Sequence, residues 1–255
     1  MSGGEATRVE ALVAGHGRGP AVLDGIGATF PSGAVTVVAG RNAAGKTTLL
    51  RCLAGLMRPR SGRVIVGDRP GPHAWPAAAL AARIAFVPQE PQVAAAFTVR
   101  EVVGLGRHAL GPDPAAVARA IDRLGLADRA EVPWPALSGG GRRRTALARA
   151  LAQVAADGLL LLDEPTAGLD LDGVRLLAGI VRDHAAGGGT AVLVLHDLAF
   201  ALGLADRLIL LDAGRVALAG PPAETATPDA LEAVFGVGFE AAPGGPPRPR
   251  LLERG

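Results

Sequence analysis

Residues 40–48, Gly-Arg-Asn-Ala-Ala-Gly-Lys-Thr-Thr, restrict what this chain can fold into more than any other stretch. An apolar run, residues 34–39, precedes them and Leu49-Leu50-Arg51-Cys52-Leu53-Ala54 follows, so the order is strand, glycine-rich loop, helix. Successive N–H groups can then turn inward around a triphosphate. Gly40 and Gly45 reach conformations closed to other residues, and the helix N-terminus adds partial positive charge. Lys46 is placed to reach the β- and γ-phosphates. Thr47 is placed to offer its hydroxyl to Mg²⁺, a hard cation that keeps several waters and suits one hydroxyl plus phosphate oxygens. A glycine-rich turn with a surface lysine is the plain alternative, and the flanking strand and helix argue against it.

With 255 residues the chain can bury a substantial core, and one large domain with an inserted lobe is expected. Aromatic residues are only 3% against 49% hydrophobic, so close packing on Ala and Gly must replace large anchors. The formal net charge of +2 gives no argument for nucleic acid, and no nucleic-acid partner is expected. The single cysteine, Cys52, excludes an intramolecular disulfide framework and fits a reducing compartment. Its place on a core-facing helix predicts a packed thiol rather than a reactive one. Residues 1–10 carry charges and no apolar core of signal-peptide length, so export is not expected. No run reaches the roughly 18 uninterrupted apolar residues of a membrane span.

Strands are expected at residues 8–14 and 21–30, separated by a turn at 15–20, then at 63–66, after Pro59 and Gly62 end the first helix, and at 84–87. From about 92 to 157 the pattern is helical, with Thr98 as an N-cap and Asp113-Pro114 as a cap followed by a first-turn proline. Val117, Ile121 and Leu124 recur at helical spacing, which predicts an inserted helical subdomain with its own apolar face. Residues 159–162 and 190–195 are short apolar runs of the kind found in buried parallel strands, with a helix over 171–186 between them. Residues 207–211 and 215–219 form a hairpin around Asp212-Ala213-Gly214. Strands alternating with helices imply a largely parallel α/β sheet. Residues 236–255 would be flexible on composition alone.

Leu-Leu-Leu-Leu-Asp-Glu-Pro-Thr, residues 159–166, puts two carboxylates at the end of a buried strand, where a parallel sheet presents ligands. Asp163 suits a Mg²⁺ shell, and Glu164 is positioned to polarise a water for attack on the γ-phosphate. A strand ending in Asp-Glu is by itself a solvated turn; beside a phosphate loop it points to hydrolysis. At 137–141 stands Leu-Ser-Gly-Gly-Gly, followed by a helix expected from about Arg142 to Ala155. Ser138, Gly139 and Gly140 offer a second anion cradle, yet one triphosphate needs one cradle. Two chains facing head to tail would complete both sites, each triphosphate lying between Lys46 of one copy and Ser138 of the other. Read alone, the Ser-Gly-Gly-Gly stretch is a flexible turn capping a helix.

Taken together these residues resemble the nucleotide-binding subunits of ABC transporters over nearly the whole chain. The family's motifs occur in order: the Walker A loop at 40–48, the Q-loop at Gln89, the signature at 137–141, Walker B ending in Asp163-Glu164, the D-loop Ala167-Gly168-Leu169-Asp170, and the switch histidine His196. The resemblance implies a RecA-like P-loop NTPase core with an antiparallel β subdomain and an inserted helical subdomain, spanning 1–236. It also implies a tail at 237–255 that can close as a hairpin after Val-Phe-Gly. It implies ATP and Mg²⁺, with Gly40, Asn42, Gly45, Lys46, Thr47 and Thr48 as the cradle and His16 where an aromatic residue usually stacks on adenine. Thr47, Gln89 and Asp163 would serve the metal, with Glu164, His196 and Gln89 as the catalytic set. The implied partners are a second copy, transmembrane permease subunits and, indirectly, a substrate-binding protein, at the cytoplasmic face of the cell membrane.

Four positions depart from the pattern: His16 offers less stacking area than a larger ring, Arg41 and Ala43 replace the usual Pro and Gly, and Gly141 replaces Gln or Glu. A slower or less tightly regulated site is expected. Residues 97–107 and 194–199 resemble, more narrowly, the ATPases of importers for ferric siderophores, haem and cobalamin. Two alternatives share the motifs. One is a soluble ABC ATPase of translation or repair, whose usual second ATPase domain or long coiled coil this chain lacks. The other is a nucleotide-binding regulator that does not hydrolyse.

Overall fold

The computed structural model describes residues 6–17, 19–67, 69–93, 96–242 and 244–250. The chain opens with β1 (Thr7–Ala14) and β2 (Leu23–Phe30), whose alternating buried and exposed residues suit an antiparallel pair with one face on the core. Next, β3 (Val35–Gly40) is buried at every position and runs straight into the glycine-rich loop and α1 (Lys46–Leu53). The chain then returns beside β1 as β4 (Ser61–Val66), two residues earlier than the sequence indicates because the β1 pairing extends to Ser61, and as the short edge β5 (Arg69–Pro70). These strands form one antiparallel sheet in the order β2-β1-β4-β5.

After α2 (Ala77–Arg83), β6 (Ile84–Val87) begins the connection that carries α3 (Val99–Gly104), α4 (Pro114–Arg123) and α5 (Gly139–Gln153) before β7 (Leu159–Asp163). A capping box starts α3: Thr98 Oγ1 accepts from the Glu101 peptide N–H, and Glu101 accepts from the Thr98 N–H at 2.8 Å. For α4, Asp113 accepts from the Ala116 N–H at 2.9 Å and Pro114 sits at the first helical position. There follow α6 (Leu171–Ala186), β8 (Thr190–Val194), α7 (Leu198–Leu204) and a hairpin of β9 (Arg207–Asp212) and β10 (Arg215–Gly220). Its turn, Ala213-Gly214, has positive φ at both residues, 43° and 78°, as a two-residue turn matched to strand twist requires. The described chain ends with α8 (Pro222–Thr225), α9 (Pro228–Phe235), β11 (Phe239–Ala242) and β12 (Gly245–Pro249).

The second sheet has the order β10-β9-β3-β8-β7-β6 and is parallel apart from β10. Its strands alternate their side chains between two apolar clusters. Val37, Leu160, Leu162, Leu193 and Leu208 face α5, α6, α7 and α9, while Val38, Leu161, Val194 and Ile209 face α1 and the antiparallel sheet. Val117, Ile121 and Leu124 of the α3–α5 connection join the first cluster. Cys52 is fully buried in the second, and burial pushes its thiol up to about 11, the packed thiol expected.

Composition misleads at the C-terminal segment. Instead of a flexible tail, β11 and β12 pair antiparallel, and Phe239 is buried in the first cluster 6.1 Å from Phe235, ring to ring. Residues 251–255 lie outside the described residues. No helix among the described residues is long and apolar enough to cross a membrane.

Candidate nucleotide site

The order of the parallel strands assembles the site. From β3 to β6 the neighbours are β3, β8, β7 and β6, and their C-terminal ends carry, in that order, the glycine-rich loop, His196, Glu164 and Gln89. This edge is where a parallel sheet presents ligands, because the chain leaves each strand there as a loop.

The loop's shape depends on two glycines. A Cβ at Gly40, whose φ is 146°, would lie 2.1 Å from the Leu211 carbonyl oxygen, and one at Gly45, φ 99°, would lie 2.5 Å from Leu23 Cδ2. Ala43 holds a left-handed φ of 63° with its Cβ in place, a conformation that costs about 1–2 kcal/mol in an L-residue. Lys46 is 6% exposed, and its Nζ donates to the carbonyls of Gly40 at 2.9 Å and Arg41 at 2.8 Å, so the lysine closes the loop on itself. Burial pushes the Lys46 ammonium below its usual value, while the carboxylates of Glu164 and Asp163 pull it back up. Asn42 is exposed on the loop and Thr48 is buried behind it.

Asp163 ends β7 at 2% exposure. Burial raises its carboxyl above the usual range, a hydrogen bond from the Thr47 hydroxyl lowers it, and the charge of Glu164 raises it again. Asp163 Oδ1 is buried without a hydrogen-bond partner. An orphaned carboxylate oxygen beside a threonine hydroxyl and a phosphate cradle is a donor set that fits a hard divalent cation.

Glu164 is held on both sides. Gln89 Nε2 donates to its Oε2 at 2.7 Å, and His196 Nε2 lies 2.5 Å from its Oε1. Its peptide N–H donates to the Val194 carbonyl at 3.1 Å, and its φ is 48°, a left-handed value of the kind stored at functional sites. All three residues of the expected catalytic set thus meet in one cluster.

The signature residues lie elsewhere. Ser138 lines a cleft of about 480 Å³ with Gly139, Gly140, Arg129, Gly168 and Asp170, and no residue of the glycine-rich loop lines it. The helix expected from Arg142 begins earlier, at Gly139, because Ser138 caps it by accepting from the Gly141 N–H at 3.1 Å. The three glycines are therefore the first turn of α5, not a flexible turn, and the helix ends at Gln153 rather than Ala155.

His16 is exposed in the turn after β1. That turn runs into Val22 and Leu23, against which Gly45 packs, so it borders the glycine-rich loop. Two features escaped sequence reasoning. Arg144 pairs with Asp170 at 3.1 Å, tying α5 to the start of α6, and Arg60 reaches across to the His16 turn.

A family model described as "ABC transporter" matches residues 23–167. Hemin import ATP-binding protein HmuV of Streptomyces coelicolor is 44% identical over 234 residues, 89% of this chain and 82% of that protein. Cobalamin import ATP-binding protein BtuD of Halobacterium salinarum is 44% identical over 225 residues, 85% of this chain and 56% of that longer protein. Among solved structures, a chain of an inward-facing ABC transporter, provisionally classed as of the metal-chelate type, superposes with a TM-score of 0.79 at 25% identity. The match covers 97% of this chain and 98% of that one.

Proposed function

This chain belongs to the ABC transporter family, and from that premise we propose that it is the ATP-hydrolysing subunit of an importer for haem, cobalamin or an iron chelate. The observation that carries hydrolysis is Glu164, held between Gln89 and His196 on the sheet edge that also bears Lys46 and Asp163. Lys46 and the N–H groups of the loop bind the phosphates, and Glu164 accepts the proton of the attacking water. Gln89 and His196 orient Glu164 and release it toward that water. Thr47 and Asp163 would hold Mg²⁺, with Gln89 beside them; when bound, the ion neutralises phosphate charge. His16 would stack on adenine. The non-hydrolysing alternative is disfavoured, since Lys46, Asp163, Glu164, Gln89 and His196 stand together at one edge.

Ser138 and the first turn of α5 serve a second copy. In a head-to-tail homodimer the cleft of one chain covers the loop of the other, which explains why a single chain holds the two anion cradles apart. The pair works at the cytoplasmic face of the cell membrane, attached through transmembrane permease subunits that a substrate-binding protein feeds. The import names of the relatives and residues 97–107 support the cargo class.

Uptake of labelled haem, cobalamin and ferric siderophore in a strain lacking this gene tests that class. Loss of at least one is expected. If all three enter normally while another solute does not, the cargo class falls and the ATPase reading remains.

A further inference from the structure

We propose that Arg60 is a positioning residue for the nucleotide base, holding the turn that carries His16 in the shape that stacking needs. The inference rests on the reading of His16 as the base platform. Arg60 lies outside the glycine-rich loop and every motif named above. Its backbone is fixed first: the Arg60 N–H donates to the Val13 carbonyl at 2.7 Å, next to the Val13–Ser61 pair that joins β1 to β4. From there the side chain crosses the turn. Arg60 Nη2 donates to the carbonyl oxygens of Gly19 at 2.7 Å and Gly17 at 3.1 Å, with that of Pro20 at 3.5 Å.

Among the described residues the turn is closed at its base, where the Val22 N–H donates to the Ala14 carbonyl at 2.7 Å, and within that closure little else fixes the backbone. Gly17 takes a left-handed φ of 51°, and the one backbone bond within the turn among the described residues runs from the Gly19 N–H to the His16 carbonyl at 3.2 Å. A Cβ at Gly15 would lie 2.6 Å from the Pro20 carbonyl oxygen and 3.0 Å from Arg60 Nη2, so the two ends of the turn and the guanidinium pack against one another. A charged donor bound to two or three carbonyls is stronger than a neutral one, and at this position it replaces a strand or helix as the scaffold of an exposed turn. The turn's far end passes Val22, whose carbonyl oxygen is 3.2 Å from the Cβ position of Gly45. The guanidinium therefore sets the place of His16 relative to the phosphate cradle, which is the distance between phosphates and base that a nucleotide must span.

Calorimetric titration of the full chain with ADP and with inorganic tripolyphosphate separates this role from general stability. Arg60→Ala should weaken ADP by about tenfold, the worth of one stacked base, and leave tripolyphosphate unchanged. His16→Ala should show the same pattern, the double variant should lose no more than either single one, and Arg60→Lys should recover part of the loss. Wild-type ADP affinity in Arg60→Ala beside a weakened His16→Ala would overturn the role of Arg60 and leave the His16 platform standing. Wild-type affinity in both would remove the platform as well. Equal losses for ADP and tripolyphosphate would make Arg60 merely structural and overturn the proposal, and Arg60→Lys gives the same readings should the alanine variant not fold.

Discussion

Asp163 is the residue whose place costs the fold most visibly. Its carboxyl is raised by burial, and Oδ1 has no partner. A folded-state pKa above the unfolded one means that the stability this group contributes is present at acid pH and is lost as pH rises through the folded value. At neutral pH the ionised carboxylate is thus a net cost until a cation shares it. Asp163→Asn should therefore melt higher than the parent at neutral pH without Mg²⁺ or nucleotide, by about 2–4 °C for each kcal/mol relieved, with the gap closing toward acid pH. Its ATP turnover should fall about ten- to a hundredfold in a phosphate-release assay, through a weaker hold on the cation. A variant that melts lower at neutral pH would show that the carboxylate is satisfied in the free protein. At this scale the sequence was informative wherever a backbone shape demands a residue type. Gly40 and Gly45 are legible because a Cβ does not fit there, and Asp163 and Glu164 because they end an apolar strand. Arg60 and Arg144 were not legible, since a side chain that reaches a distant segment leaves no local pattern.

Among the elements, α5 departs most from its sequence. Its first turn is Gly139-Gly140-Gly141, and each glycine costs about 1 kcal/mol against alanine in a helix, so propensity hides the true start. Ser138 compensates in part. A glutamine at position 141 would occupy the third helical position, from which its side chain can return to the Ser138 N–H and complete a capping box. There is room, since a Cβ there meets Leu137 and Ser138 no closer than 3.4 Å. Gly141→Gln should raise the melting midpoint by about 2–4 °C, and it should raise ATP hydrolysis in the assembled transporter by stiffening the first turn of α5, which in the proposed dimer faces the partner copy. A fall in hydrolysis would mean that the all-glycine first turn is itself the tuned state. Other elements were hidden for a different reason. Ala-Ala-Ala-Leu-Ala-Ala-Arg in α2 and Leu-Ala-Phe-Ala-Leu-Gly-Leu in α7 are so uniformly apolar that helical periodicity has no polar face to contrast with. By contrast α9 carried a readable signal, a Thr227 cap with Pro228 at the first helical position.

For the whole molecule, strand order is what turns separated motifs into one catalytic edge, and that order is not written in any single stretch. The alternation of strands and helices implied a parallel sheet, but only the neighbours β3, β8, β7 and β6 bring Lys46, His196, Glu164 and Gln89 together. The same geometry leaves Ser138 in a separate cleft, so the site proposed above is complete only with a second chain. Glu164 as the base of a site shared by two copies is the central claim, and light-scattering mass of Glu164→Gln under saturating ATP and Mg²⁺ tests it most directly. The amide keeps the shape and cannot take the proton, so the protein should have the mass of two chains and retain unhydrolysed ATP. A mass of one chain with ATP bound would contradict it.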